Sequence, residues 1–183
     1  IKRLTFRDAI LEKTEIDIDQ IKTEEEFKQA LQDKKIKVDL KDVYGLGACF
    51  DALYKEHVRP GLIEPTFIMD YPAEMIALAK RKENDPTKIA SFQLLACGTE
   101  FLKAYNELND PEDQSNRCLD EQKLADKGSE IASQFDSDYI RALEYGMPPT
   151  AGWGMGIDRF VQLVTDSDTI KDVILFPSMR KED

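Results

Sequence analysis

The stretch AGWGMGIDRF, residues 151–160, decides how this chain is read. Alternation along a strand sends Gly152, Gly154 and Gly156 to one side and Trp153 and Met155 to the other. A strand face without side chains packs poorly, so it marks a place where a ligand or another backbone comes close. A planar base or ribose could lie flat against it. Asp158 and Arg159 follow in the first turn of the next helix, where an arginine can offer a planar fork to phosphate or stack on a ring. Spacing alone fits a glycine bend beside a surface arginine equally well. Neither GxGxxG nor a GKS/GKT loop is present, so this is not a Rossmann or Walker site.

Outward from that strand, Pro148 and Pro149 break the chain before it, and residues 157–164 read as the helix after it, with a last short strand at 173–176. Upstream, Asp136 or Ser137 can cap a helix that stops at Gly146. Residues 110–130 are charged, with weak helical periodicity. Two apolar runs, 92–97 and 100–107, read as a hairpin turning near Gly98, and residues 66–69 as a short buried strand. Thr23 and Glu26 form a capping-box signature before Phe27 and Leu31. Leu46, Cys49, Phe50, Leu53, Tyr54 and His57 trace one helical stripe, stopped by Pro60 and Gly61. The first sixty residues are expected to be mainly helical. Helices and strands that do not alternate regularly predict an α+β fold.

The 183 residues are 42% hydrophobic, enough for one domain with a real core. A net charge of −11 opposes general affinity for nucleic-acid phosphate, so the chain is not an autonomous RNA- or DNA-binding module. Cys49, Cys97 and Cys118 form no CxxC pair, which suggests neither a disulfide framework nor a zinc site and fits a reducing cytoplasm. No apolar run approaches the roughly 20 residues of a membrane span. A chain opening at Ile1 rather than Met fits a piece of a longer protein. His57 and the pair Trp153 and Met155 are expected to serve structure rather than chemistry, the latter two in the core.

The motif PPTAGWGMGIDRFVQLVTDSDTIKDVILFPSMR, residues 148–180, resembles motif 3 of the class II aminoacyl-tRNA synthetases. GTEFLKAYNELNDPEDQ, residues 98–114, resembles the segment that sets the lysine enzymes apart within the lysine, aspartate and asparagine subclass. TFIMDYPAEMIALAK (66–80) and VRPGLIEP (58–65) are similar to the family too, so the likeness covers essentially the whole chain. It implies a partial class II antiparallel sheet flanked by helices. Residues 1–62 would be a helical segment between motifs 2 and 3, and residues 63–183 the C-terminal part of the catalytic core. Motifs 1 and 2 are not found in the chain.

The resemblance further implies a lysine-tRNA ligase acting with ATP and magnesium on lysine and tRNA(Lys), homodimeric and cytoplasmic as the parent protein. Arg159 would contact the γ-phosphate and cover adenine, and Gly154 and Gly156 would floor the nucleotide site. Glu100 would help hold magnesium. Glu107 would bind the lysine ammonium and Tyr105 pack along its stem. Lys103, Tyr105 and Glu107 share one strand face by alternation, an arrangement that could equally be a solvated edge. Strict alternation puts Glu100 on the other face, so its role requires a bulge or strong twist. Four positions depart from the family. Gln93 stands where a second metal-binding glutamate is usual, Lys103 replaces an asparagine near the substrate carboxylate, and Ile76 and Ala77 replace Ser-Pro. Gln93 keeps a carbonyl oxygen for metal but no charge. Lys103 either pairs with the substrate carboxylate or reaches Glu107. Without motif 2 the isolated chain is expected to be inactive. The competing readings are a non-catalytic synthetase-like binding protein and an amino-acid ligase acting on something other than tRNA.

Overall fold

A computed structural model describes residues 1–129 and 134–178, so residues 130, 179 and 180 of the stretches quoted above lie outside the described residues. Five strands, β1 (Lys2–Thr5), β2 (Thr66–Met69), β3 (Ser91–Ala96), β4 (Thr99–Asn106) and β5 (Ala151–Met155), form one sheet in that order. Among the described residues six α-helices flank it: α1 (Phe6–Thr14), α2 (Glu24–Asp33), α3 (Leu46–Leu53), α4 (Pro111–Asp126), α5 (Ser137–Glu144) and α6 (Ile157–Val164). The fold is α+β, as expected. All pairings are antiparallel except β1 with β2, which is parallel and makes the sheet mixed.

β1 is a strand that the sequence pattern does not announce. KRLT carries no alternation of its own, and it becomes a strand by pairing Leu4 with Ile68 in β2. The parallel pairing requires a long crossover, and α1, α2 and α3 supply it. The capping box on α2 is present: Glu26 N donates to Thr23 Oγ1 at 3.1 Å, and Glu26 Oε2 accepts from Thr23 N at 3.3 Å. α3 runs on through a π turn at Tyr54–Val58 before Pro60 ends it. That widened turn buries Val58 and turns His57 outward, where its Nε2 lies 2.7 Å from the carbonyl oxygen of Lys37. His57 is a surface tie between two segments.

Two expectations are corrected. Residues 173–176 form no strand; Leu175 and Phe176 are 91% and 92% exposed, and no strand edge among the described residues pairs with them. Trp153 is not in the core but 68% exposed, because β5 is the edge strand and the described residues leave its outward side largely uncovered. Met155 is half-buried.

One sheet face does two jobs. Cross-strand register puts Thr66, Ile68, Gln93 and Leu95 on the same face as Lys103 and Tyr105. Toward β1 this face carries the core, where Phe6, Ile10, Phe50, Leu53 and Tyr71 are all nearly inaccessible. Toward β5 the same face opens into a cleft.

Candidate active-site cleft on the open half of the sheet

The β3–β4 hairpin sets the geometry. Cys97 and Gly98 have φ of 50° and 68°, and left-handed backbone at both central residues makes the tight turn compatible with strand twist. A Cβ on Gly98 would also lie 3.3 Å from Pro60. Just past the turn the register shifts: Leu95 faces Glu100 while Leu94 faces Leu102, so Phe101 is left without a partner. That bulge reverses the alternation. It brings Glu100 onto the face that carries Gln93 and Lys103, as the sequence reading required.

Gln93, Glu100 and Lys103 line a cleft of about 600 Å3, together with Tyr71 and the α3 N-terminus. Gln93 and Lys103 are direct cross-strand neighbours. The Gln93 side-chain oxygen is engaged, accepting a hydrogen bond from the Tyr71 hydroxyl at 2.7 Å. Burial holds the Tyr71 phenol well above its ordinary pKa, so it keeps its proton and donates. Lys103 forms no ion pair with Glu107 among the described residues. No group of three or more carboxylate, histidine or cysteine side chains converges there either. Glu100 can meet one magnesium ion shared with phosphates, the usual mode for that ion.

Further along β4, Tyr105 and Glu107 lie beside the glycine strand, with Gly152 opposite Tyr105 and Gly154 opposite Lys103. A Cβ on Gly152 would come 2.5 Å from Glu107 Oε1, so this carboxylate occupies the space the glycine leaves. Nothing comes within 4 Å of the corresponding point on Gly154, which leaves an open floor. Gly156 is covered instead by Arg159, whose Cδ would lie 3.3 Å from an added Cβ. The Arg159 guanidinium reaches back across the sheet and donates from Nη1 to the backbone oxygen of Glu100 at 2.7 Å. Arg159 is therefore held beside Glu100, and Glu107 lies further along the same sheet face, beside Gly152.

Burial, and then the Glu107 carboxylate, raise the pKa of Tyr105, and the same two causes raise that of Tyr139 on α5. Tyr139 lies close enough to Glu107 to feel its charge, which its place on an amphipathic helix does not announce. Tyr71 was missed as well; it stands between Asp70 and Pro72, where the sequence reads only as the end of a strand. The Ala77 backbone oxygen accepts from Gln114 Nε2 at 3.3 Å. The segment after Asn106 is tied down by its backbone, with Glu107 N donating to Thr150 O at 3.0 Å.

The family model for class II tRNA synthetases (D, K and N) matches residues 1–180. The chain belongs to this synthetase family. Among curated relatives, a lysine–tRNA ligase of Aromatoleum aromaticum is 48% identical over 181 residues, covering 98% of the chain and 36% of the relative. That of Nitrosomonas europaea is 46% identical over 182 residues, with 99% and 36% covered. That of Christiangramia forsetii is 43% identical over 181 residues, with 99% and 31% covered. The chain thus spans about a third of the length of these class II synthetases. No helix among the described residues is long and apolar enough to cross a membrane.

Proposed function

We propose that the chain is the motif 3 portion of a lysine–tRNA ligase, and that its cleft binds lysine and ATP for adenylate formation. The observation that carries this is Glu107 seated over Gly152 at one end of the glycine floor, with Arg159 over Gly156 at the other. Glu107 would accept the ε-ammonium of lysine, with Tyr105 along its stem. Gly154 gives room for the nucleotide, and Gly156 lets Arg159 fold flat beside it. Lys103, between Glu100 and Glu107 along β4, would pair with the substrate carboxylate.

In the reaction a carboxylate oxygen of lysine attacks the α-phosphorus of ATP, a P–O bond forms, and pyrophosphate leaves with the electron pair of the broken bond. A hydroxyl at the tRNA 3′ end then attacks the lysyl carbonyl and AMP departs. The side chains here form no covalent bond to substrate. They hold the two reacting groups in line and stabilise charge. Magnesium held on the nucleotide by Glu100 would neutralise charge on the phosphates. The parent protein acts as a cytoplasmic homodimer in this reading, with tRNA(Lys) as the second substrate. The 183 residues alone give no ATP–pyrophosphate exchange, because adenylate formation also needs an arginine on the α-phosphate and no motif 2 supplies one.

The test is calorimetric titration of the full-length protein with lysine in the presence of a non-hydrolysable ATP analogue and magnesium. Lysine-selective binding that is lost in Glu107→Ala and Arg159→Ala is the expected result. A folded full-length protein that binds neither ligand would instead be a synthetase-like protein kept for another partner.

A further inference from the structure

We propose that Gln114 and Arg117 on α4 are positioning residues that set where the Glu107 carboxylate stands, acting through the short segment 77–80. The identity of the ligand rests on the ligase reading of the cleft; the positioning itself does not. α4 is a largely polar helix, and the two residues it buries are polar as well: Gln114 is inaccessible and Arg117 is 7% exposed. They stand three apart, on one face of the helix. A pair of apolar side chains would hold a helix down at least as firmly, because burying a guanidinium costs free energy that pairing and hydrogen bonding must offset. What the polar pair adds is direction, since each side chain fixes one particular backbone oxygen.

The fixed atoms lead to Glu107. Gln114 Nε2 donates to the Ala77 oxygen at 3.3 Å, and Arg117 Nη1 donates to the Ala79 oxygen at 2.8 Å. Asp113 holds the rest of the Arg117 fork, accepting from Nε at 3.1 Å and from Nη2 at 2.8 Å, so the guanidinium plane is set. Ala79 in turn pairs antiparallel with Glu107. Lys80 N donates to Asn106 O at 2.8 Å and Leu108 N to Leu78 O at 2.9 Å. Those two bonds flank the Ala79–Glu107 pair, the arrangement that brings opposed residues closest across a ladder. On its other side Glu107 N donates to Thr150 O at 3.0 Å. Segment 77–80 is therefore an added edge beside Glu107, and α4 side chains hold oxygens along it where a further strand would otherwise pair. A shift of that edge moves the backbone that carries the carboxylate over Gly152.

The test uses the full-length protein and compares wild type with Arg117→Met, Arg117→Lys and Gln114→Leu. Lysine and a non-hydrolysable ATP analogue are titrated separately by calorimetry, and amide hydrogen exchange of peptides spanning 76–82 and 105–109 is followed by mass spectrometry. Arg117→Met is expected to weaken lysine binding about tenfold and Gln114→Leu about threefold, with the ATP analogue bound within about twofold of wild type. Arg117→Lys keeps a charged donor for the Ala79 oxygen and is expected to recover most of the lysine affinity. Exchange at Lys80 and Leu108 should quicken in Arg117→Met while β2 and β3 exchange as in wild type.

Parallel weakening of both ligands, lysine affinity as in wild type, or unchanged exchange at Lys80 and Leu108 would each overturn the proposal, leaving α4 a packing element. If Arg117→Met fails to fold, as read by circular dichroism, Gln114→Leu carries the same comparison. A wild type that binds no lysine would overturn the ligase reading alone, and the exchange pattern would still decide whether α4 positions Glu107.

Discussion

The carboxylate of Glu107 lies over the bare α-carbon of Gly152, so close that a Cβ there would come 2.5 Å from Oε1. The glycine is needed by its neighbour rather than by its own backbone. Because the colliding atom ends a flexible side chain, Gly152→Ala is expected to displace Glu107 and leave the sheet intact. Lysine binding should weaken about tenfold, with a change in unfolding free energy under about 1 kcal/mol. Calorimetry and urea unfolding of the full-length protein check the two halves. A large loss of stability with unchanged affinity would mean that Glu107 is not held there for lysine.

Gly154 gives the complementary case. Nothing lies within 4 Å of the position its Cβ would take, so the protein itself tolerates a side chain there. Gly154→Val should leave the thermal midpoint near that of wild type and weaken binding of an ATP analogue by at least about tenfold. Affinity as in wild type would show that the nucleotide does not use this floor.

The Arg7–Asp17 pair predicts a pH dependence of stability. Arg7 donates to both oxygens of Asp17, at 2.7 Å and 2.6 Å, and this hydrogen bonding holds the Asp17 carboxyl below its usual range. A depressed carboxyl pKa contributes stability above the unfolded value of about 3.9, and that contribution is lost as pH falls through the folded value. Arg7→Met should therefore be less stable than wild type at pH 7, and the gap should narrow as pH falls below about 4. Urea unfolding at several pH values measures it. A gap that stays constant through the acid range would contradict the assignment.

Cysteine reactivity should split by environment. Cys49 is 1% exposed on α3, and burial pushes its thiol up to about 11. Cys97 sits exposed at the tip of the β3–β4 hairpin. At pH 8 in native buffer an alkylating reagent should modify Cys97 within minutes and leave Cys49 unmodified until denaturant is added, as read by peptide mass spectrometry. Early labelling of Cys49 would mean that α3 opens readily.

Local chemistry carried much of the fold into view. The Thr23–Glu26 box, the strand at Thr66–Met69, the hairpin at Gly98, the Asp136 cap and the glycine strand are each written in a few adjacent residues, and each forms where read. The site was legible mainly through family likeness. Spacing alone could place Lys103, Tyr105 and Glu107 on one face, but left open whether that face was a pocket or a wet edge.

What the sequence determined by itself is the set of elements whose signals are local: caps, turns, and a strand stripped of side chains on one face. What only the tertiary structure decided depends on partners distant along the chain. Lys2–Thr5 is a strand because β2 lies beside it, whereas residues 173–176, far more apolar, have no such edge among the described residues and stay irregular. The bulge at Phe101 turns Glu100 into the cleft, a reversal that no two-residue period can encode. Tyr71 orients Gln93 from 22 residues away, since a hydrogen bond depends on distance in space and not on separation in sequence.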